Sequence, residues 1–181
     1  MGFGFGKGFR TLFVDADLRK PSVSKLFFGE NRKPGLSEIL LGKSSVADAI
    51  QRCDVENLSI ITAGGRSENP SELLSGPKVG KFFEEIRKDF DRIVVDSAPV
   101  VAVSDTLLLL THADVNTLIV WANSTPKKSI LHALRLPGES GYPAVGIVLN
   151  RLRSGRSGAY YAYAYSGRNY GGYGSKGVYD Q

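Results

Sequence analysis

Asp15, Asp17 and Arg19 stand at alternate positions where the apolar run Leu12-Phe13-Val14 ends. A second run, Ile93-Val94-Val95, ends in Asp96, with Pro99 three residues on. Two apolar strands that each deliver a carboxylate at the C-terminal end point to one crevice for a metal and a nucleotide, because ligands of open parallel sheets sit outside those strand ends. Phosphoryl transfer needs a metal held against the phosphates, a group that orients or deprotonates the attacking oxygen, and fixed positive charge for the transition state. Closely spaced carboxylates suit the first two tasks. On an extended strand Asp15 and Asp17 face the same side, because side chains alternate with period two. Arg19 is near enough to neutralise them or to grip a phosphate. The plainer reading of a strand-end Asp is a helix cap. Both runs in one chain favour the shared site.

Holding those groups requires a sheet. Short, continuous runs rich in Val, Ile and Leu read as buried parallel strands at Thr11–Val14, Leu58–Thr62, Arg92–Val95, Asn116–Trp121 and Val145–Leu149. Between them lie helix patterns. Pro77 to Phe90 carries Val79, Phe82, Phe83, Ile86 and Phe90 at helical spacing, with charges on the other face. Gly35–Leu41, Val46–Ile50, Ser71–Leu74 after Pro70, Asp105–Thr111 and Thr125–Leu136 complete the set, with Thr125 as N-cap and Pro126 at the first helical position. Strands alternating with helices predict a doubly wound α/β layer with a mostly parallel sheet.

The chain of 181 residues fits one domain plus a tail. It is 42% hydrophobic and 23% charged, which is ordinary for a globular protein. No apolar run approaches the roughly 18–20 residues that span a bilayer, and no secretory signal pattern opens the chain. The single cysteine, Cys53, excludes an internal disulfide, fits a reducing cytoplasm and reads as an inert buried thiol. His112 and His132 stand alone without metal-ligand spacing, and Trp121 reads as core packing. The net charge of +5 belongs mostly to the end of the chain, where Arg151, Arg153, Arg156, Arg168 and Lys176 face Asp180 alone. Five scattered charges are too weak a footprint for nucleic acid, so no nucleic-acid partner is expected.

With these residues in hand, the chain resembles the bacterial tyrosine kinases, or BY-kinases, a branch of the P-loop ATPases with deviant Walker motifs. TLFVDADLRKP at 11–21 is similar to their second Walker motif, and RIVVDSAPV at 92–100 to their Walker B. PGLSEILLG at 34–42, the turn Thr62-Ala63-Gly64, NPSELL at 69–74, GIVLNR at 146–151 and a tyrosine-rich end add to the match. The D-x-D-x-R and the tyrosine cluster separate this family from cell-division and partition ATPases of the same fold. The resemblance implies ATP and Mg²⁺ as cofactors. Asp15 would lie beside Mg²⁺ and the γ-phosphate and help activate a tyrosine hydroxyl. Asp17 would support the metal, and Asp96 would hold it through water. Arg19 would contact phosphate or a neighbouring subunit, and Asn150 would approach the adenine. Autophosphorylation would fall on Tyr160, Tyr161, Tyr163, Tyr165, Tyr170, Tyr173 and Tyr179, seven of the eight tyrosines. Each phosphate adds about −1.5 to −2 charges, enough together to reverse the basic end and repel neighbouring tails.

The family's first Walker motif, G-x-x-x-x-G-K-[ST], is missing. Gly6-Lys7 is followed by Gly8, and the earlier glycine has no place. That motif supplies N–H groups at a helix N-terminus, a lysine and a hydroxyl. The expected fold is therefore P-loop NTPase-like but without the first strand and P-loop, with a gap inside the sheet. The expected layout is a Gly/Phe-rich, truncated start at 1–10, a partial kinase domain at 11–153 and a flexible tyrosine-rich tail at 154–181, which lacks the apolar surface to order itself. Weak or absent ATP binding follows. The resemblance further implies exopolysaccharide or capsule production, a membrane-spanning activator as partner, self-association through kinase domains, and a cytoplasmic place at the inner face of the membrane. Two other readings stand beside it: a non-catalytic pseudokinase whose tail is phosphorylated by an intact kinase, and a partition-type ATPase.

Overall fold

A computed structural model describes residues 8–30, 34–138 and 145–152. The elements run β1 (Thr11–Asp15), α1 (Val23–Phe28), α2 (Leu36–Leu41), α3 (Val46–Ala49), β2 (Gln51–Arg52), β3 (Leu58–Ile61), α4 (Pro70–Ser75), α5 (Lys78–Ile86), β4 (Arg92–Asp96), α6 (Asp105–Leu110), β5 (Asn116–Trp121), α7 (Lys127–Gly138) and β6 (Val145–Asn150).

Four strands form one sheet in the order β2-β3-β1-β4. β1 pairs in parallel with both β3 and β4, and only β2 runs antiparallel. β1 is central because period two gives it an apolar side chain for each face. Leu12 and Val14, both wholly buried, pack with Ile61, Leu36, Leu40, Leu74, Val79, Phe82, Phe83 and Ile86. Phe13 turns the other way, to Val23, Leu58 and Ile60. Helices therefore cover both faces, as a doubly wound layer requires. Each such side chain taken from water contributes roughly 1.5–3 kcal/mol before the cost of ordering the chain.

The joint between α2 and β3 is made of backbone. Leu36 and Ser37 donate their N–H groups to the carbonyls of Thr62 and Ala63 at 2.8 and 3.0 Å. Gly64 has φ +83°, and a Cβ there would meet Glu38 Oε2 at 2.1 Å. A Cβ on Gly35 would meet Gly64 N at 2.4 Å. The motifs at 34–42 and 62–64, separate in sequence, are thus two halves of one contact that only glycine permits.

The sheet, expected to have a gap inside it, is found in two pieces. β5 and β6 form a separate parallel pair, in register from Asn116 opposite Val145 to Trp121 opposite Asn150. Among the described residues β4 is hydrogen-bonded to β1 alone, and β5 to β6 alone. Outside the first sheet several apolar strand residues are exposed, Ile119 at 49%, Ile147 at 54% and Leu149 at 49%, although Val120 is buried. Three further readings are corrected. Trp121 is not core but 44% exposed. The Thr125 hydroxyl does not cap α7; it accepts the Trp121 N–H at 3.0 Å, while the Pro126 carbonyl takes the first helical N–H groups. Cys53 is half-buried, its thiol directed at the Leu58 carbonyl 3.7 Å away. The segments at 1–7 and 153–181, with the glycine-rich start and all seven candidate phosphoacceptor tyrosines, lie outside the described residues.

Candidate functional site

β1 and β4 deliver Asp15 and Asp96 side by side, opposite one another in the parallel register. Ala16 then donates its N–H to the Asp96 carbonyl at 2.8 Å, so the two strand ends stay joined as the chains leave the sheet. The sequence-predicted Asp15, Asp17 and Asp96 are thus brought together at one mouth, the C-terminal end of the strands.

The spacing D-x-D-x-R has a local cause. Asp15 is wholly buried, and its two oxygens accept the N–H groups of Asp17 (3.1 Å) and Val23 (3.2 Å). Asp17 Oδ1 in turn accepts the N–H groups of Arg19 (3.1 Å) and Lys20 (2.9 Å). Each carboxylate closes a turn on backbone two residues ahead, as Asp side chains do in Asx turns. Burial pushes the Asp15 carboxyl up to about 6 against the two N–H bonds that lower it, with the charges of Asp96 and Asp17 adding to the rise. Asp96 reaches solvent, yet partial desolvation of its carboxyl, and then the charge of Asp17, raise it as well.

Arg19, expected to contact phosphate or a neighbouring subunit, is paired within the chain. Its Nε and Nη2 bond Asp105 at 2.5 and 3.2 Å, and Nη2 also donates to the Ser71 hydroxyl at 3.0 Å. Ser71 donates to the same Asp105 carboxylate at 2.5 Å. The Arg19 guanidinium holds the Asp105 carboxyl below the usual carboxylate range despite its burial, with Ser71 assisting. The next residue of α6, Thr106, donates its hydroxyl to the carbonyl of Ala98. The start of α6 therefore grips both loops that carry the carboxylates.

Sequence reasoning passed over Asp105, Ser71 and Glu38. The Glu38 carboxylate accepts the N–H groups of Gly35 (2.9 Å) and Gly65 (3.0 Å) and bonds the Ser37 hydroxyl. Burial raises its carboxyl, but these donors outweigh that and leave it below the ordinary value. An acid three residues after a glycine is the one signal that could have marked it.

Asn150 lies apart, on the β5–β6 pair. Its side-chain oxygen accepts the Arg151 N–H at 2.8 Å, and its carbonyl accepts the Ala122 N–H at 2.9 Å. Arg151 adopts φ 56° and lays its guanidinium 3.7 Å above the centre of the Trp121 ring. The result is an exposed, planar, polar-rimmed patch at the C-terminal end of that pair.

The expected three-carboxylate metal site is not assembled. Among the described residues no three His, Cys, Asp or Glu side chains group closely enough to hold an ion. Asp15 is committed to backbone through both oxygens. Asp17 and Asp96 fit a hard cation better: they are oxygen donors of like charge at one strand mouth, and neither forms an ion pair among the described residues.

No protein-family model matches the chain. It is 33% identical over 156 residues to the putative tyrosine-protein kinase CapB of Staphylococcus aureus, covering 86% of this chain and 68% of that protein. The chain belongs to the bacterial tyrosine-protein kinase family. It is also 35% identical over 149 residues to the tyrosine-protein kinase Ptk of Acinetobacter johnsonii, covering 82% of this chain but only 20% of that one. In three dimensions it is similar to the kinase domain of VpsO, with TM-score 0.76, 34% identity, and coverage of 81% of this chain and 72% of that one. The α/β kinase-domain fold implied by D-x-D-x-R and the Asp96 strand is the fold present. Among the described residues no helix is long and apolar enough to cross a membrane.

Proposed function

We propose that this chain carries the carboxylate half of a site that transfers the γ-phosphoryl group of ATP to tyrosine hydroxyls, its own at 160–179 among them. The observation that carries this reading is the convergence of Asp15, Asp17 and Asp96 where β1 and β4 end in register. Asp17 and Asp96 would hold Mg²⁺. When bound, that ion neutralises charge on the phosphates and orients them for in-line attack. Asp15 is the buried post that sets the loop, and Asp17 is the carboxylate left to face an incoming hydroxyl. A phenol has a pKa of about 10, so its proton must leave in step with attack. Asn150 and the Trp121–Arg151 stack offer a flat, polar-rimmed surface suited to a base. Capsule or exopolysaccharide production, a membrane-spanning activator and a place beneath the membrane belong to the same reading, by family likeness.

The tyrosine cluster at 160–179 also fits a second reading, in which the chain is a phosphoacceptor for an intact kinase. The full chain incubated with ATP and Mg²⁺ separates them. Phosphotyrosine found by mass spectrometry in residues 160–179, and lost in Asp17→Asn and Asp96→Asn, supports transfer by this chain. Phosphotyrosine that forms only when a competent kinase is added supports the acceptor role.

A further inference from the structure

Arg19 raises a question that hydrogen bonding alone does not answer. Its backbone N–H is bonded to the Asp17 carboxylate, yet its guanidinium crosses to α6. The Asp105 side chain there is 4% exposed, against 41% for Arg19. A buried carboxylate is costly to desolvate unless paired and hydrogen-bonded; Asp105 has Arg19 through two nitrogens and Ser71 through one hydroxyl. Fixing a loop in place would need only neutral hydrogen bonds. The ion pair does something more: it engages the one cation built into the D-x-D-x-R motif with a carboxylate other than Asp17 and Asp96.

We infer that Asp105, aligned by Ser71, is a positioning residue that keeps the Arg19 guanidinium out of the Asp17–Asp96 mouth and so leaves that mouth negative enough to take a divalent cation. This rests on the reading of Asp17 and Asp96 as cation ligands. Without Asp105 the guanidinium, anchored by its backbone beside Asp17, folds back onto the carboxylates and competes with the cation. The device is electrostatic, which gives it a signature that a purely mechanical brace lacks. Removing the arginine charge should repair the loss of the aspartate, and salt should shrink the loss.

Mn²⁺ binding to the full chain, read from the paramagnetic resonance of free Mn²⁺ in low-salt buffer, tests this. Asp105→Asn should weaken binding about fivefold or more, the effect of one unit charge at close range in water. Arg19→Gln should stay within about twofold of the unaltered chain, and Asp105→Asn with Arg19→Gln should return to that level. The Asp105→Asn deficit should fade near 0.5 M salt, where screening is short-ranged, as about 3 Å at 1 M shows. Ser71→Ala keeps both charges and should give a smaller loss, again reversed by Arg19→Gln, so the idea stays testable if Asp105→Asn unfolds. Unchanged binding in both Asp105→Asn and Ser71→Ala overturns the proposal alone. So does a double variant as weak as Asp105→Asn. An unaltered chain that binds no Mn²⁺ overturns the ligand reading and this proposal with it.

Discussion

The mouth of β1 and β4 and the β5–β6 pair are built from the same kind of sequence, a continuous apolar run ending in a polar residue, yet they end in opposite environments. At the first, β1 is sandwiched between strands and helices, Leu12 and Val14 are wholly buried, and the polar groups beyond them are tied into nested turns. At the second, Ile119, Ile147, Val148 and Leu149 all reach solvent. Burial belongs to a strand's neighbours as much as to its residues. An apolar run states what a strand can bury, and only the surrounding elements decide whether it does.

Paired substitutions measure that difference. Leu12→Ala should cost about 2–5 kcal/mol in urea unfolding, the usual range for a buried leucine. Ile147→Ala, more than half exposed, should cost less than about 0.5 kcal/mol. Equal losses would mean that the β5–β6 pair is covered in solution.

The next effect is in pH. Asp15 has its carboxyl raised to about 6 from 3.8. The folded chain therefore binds more protons than the unfolded chain between these values, and stability falls as pH rises through that window, then levels off. The loss should be roughly 2 kcal/mol in magnesium-free buffer, scaled from 1.36 kcal/mol per pKa unit with allowance for water access. Asp96, raised in the same sense, adds to it. Denaturant melts from pH 4 to pH 7 should show the slope, and Asp15→Asn should flatten it.

Smaller still is Ser71→Ala, which removes one hydrogen bond to a buried carboxylate and should cost about 1.5 kcal/mol in thermal or urea melts. The smallest stability effect is expected from Ile147→Ser, within about 0.5 kcal/mol. Its consequence should appear in light scattering, as weaker self-association once an exposed apolar patch is interrupted.

The sequence made every described strand but β2, the helix at 78–86 and the meeting of Asp15 with Asp96 legible, because period two and a 3.6-residue stripe are strong local signals. α1 was not legible: of its six residues only Val23 and Ser24 are buried, and Leu26 is 78% exposed, so no apolar stripe marks it. β2 has two polar residues and no pattern at all. Asp105 was hidden by distance, 86 positions from Arg19. Its role is set by how α6 docks, which no local spacing encodes. Trp121 was misread because a strand-end aromatic is buried only when enough lies over it, and here the Arg151 guanidinium covers the ring while the residue stays 44% exposed.

The glycine joint between α2 and β3 has one more effect. Its backbone hydrogen bonds and close glycine contacts, clasped by the Glu38 and Ser37 side chains, hold the first turn of α2 tightly against the strand. A larger or smaller residue beneath that helix cannot be absorbed by tilting it there. The adjustment must be taken up at its far end, against α5, where flexible chains such as Lys78 line the gap. Two absent methyl groups thereby decide which end of the helix can drift as the protein changes.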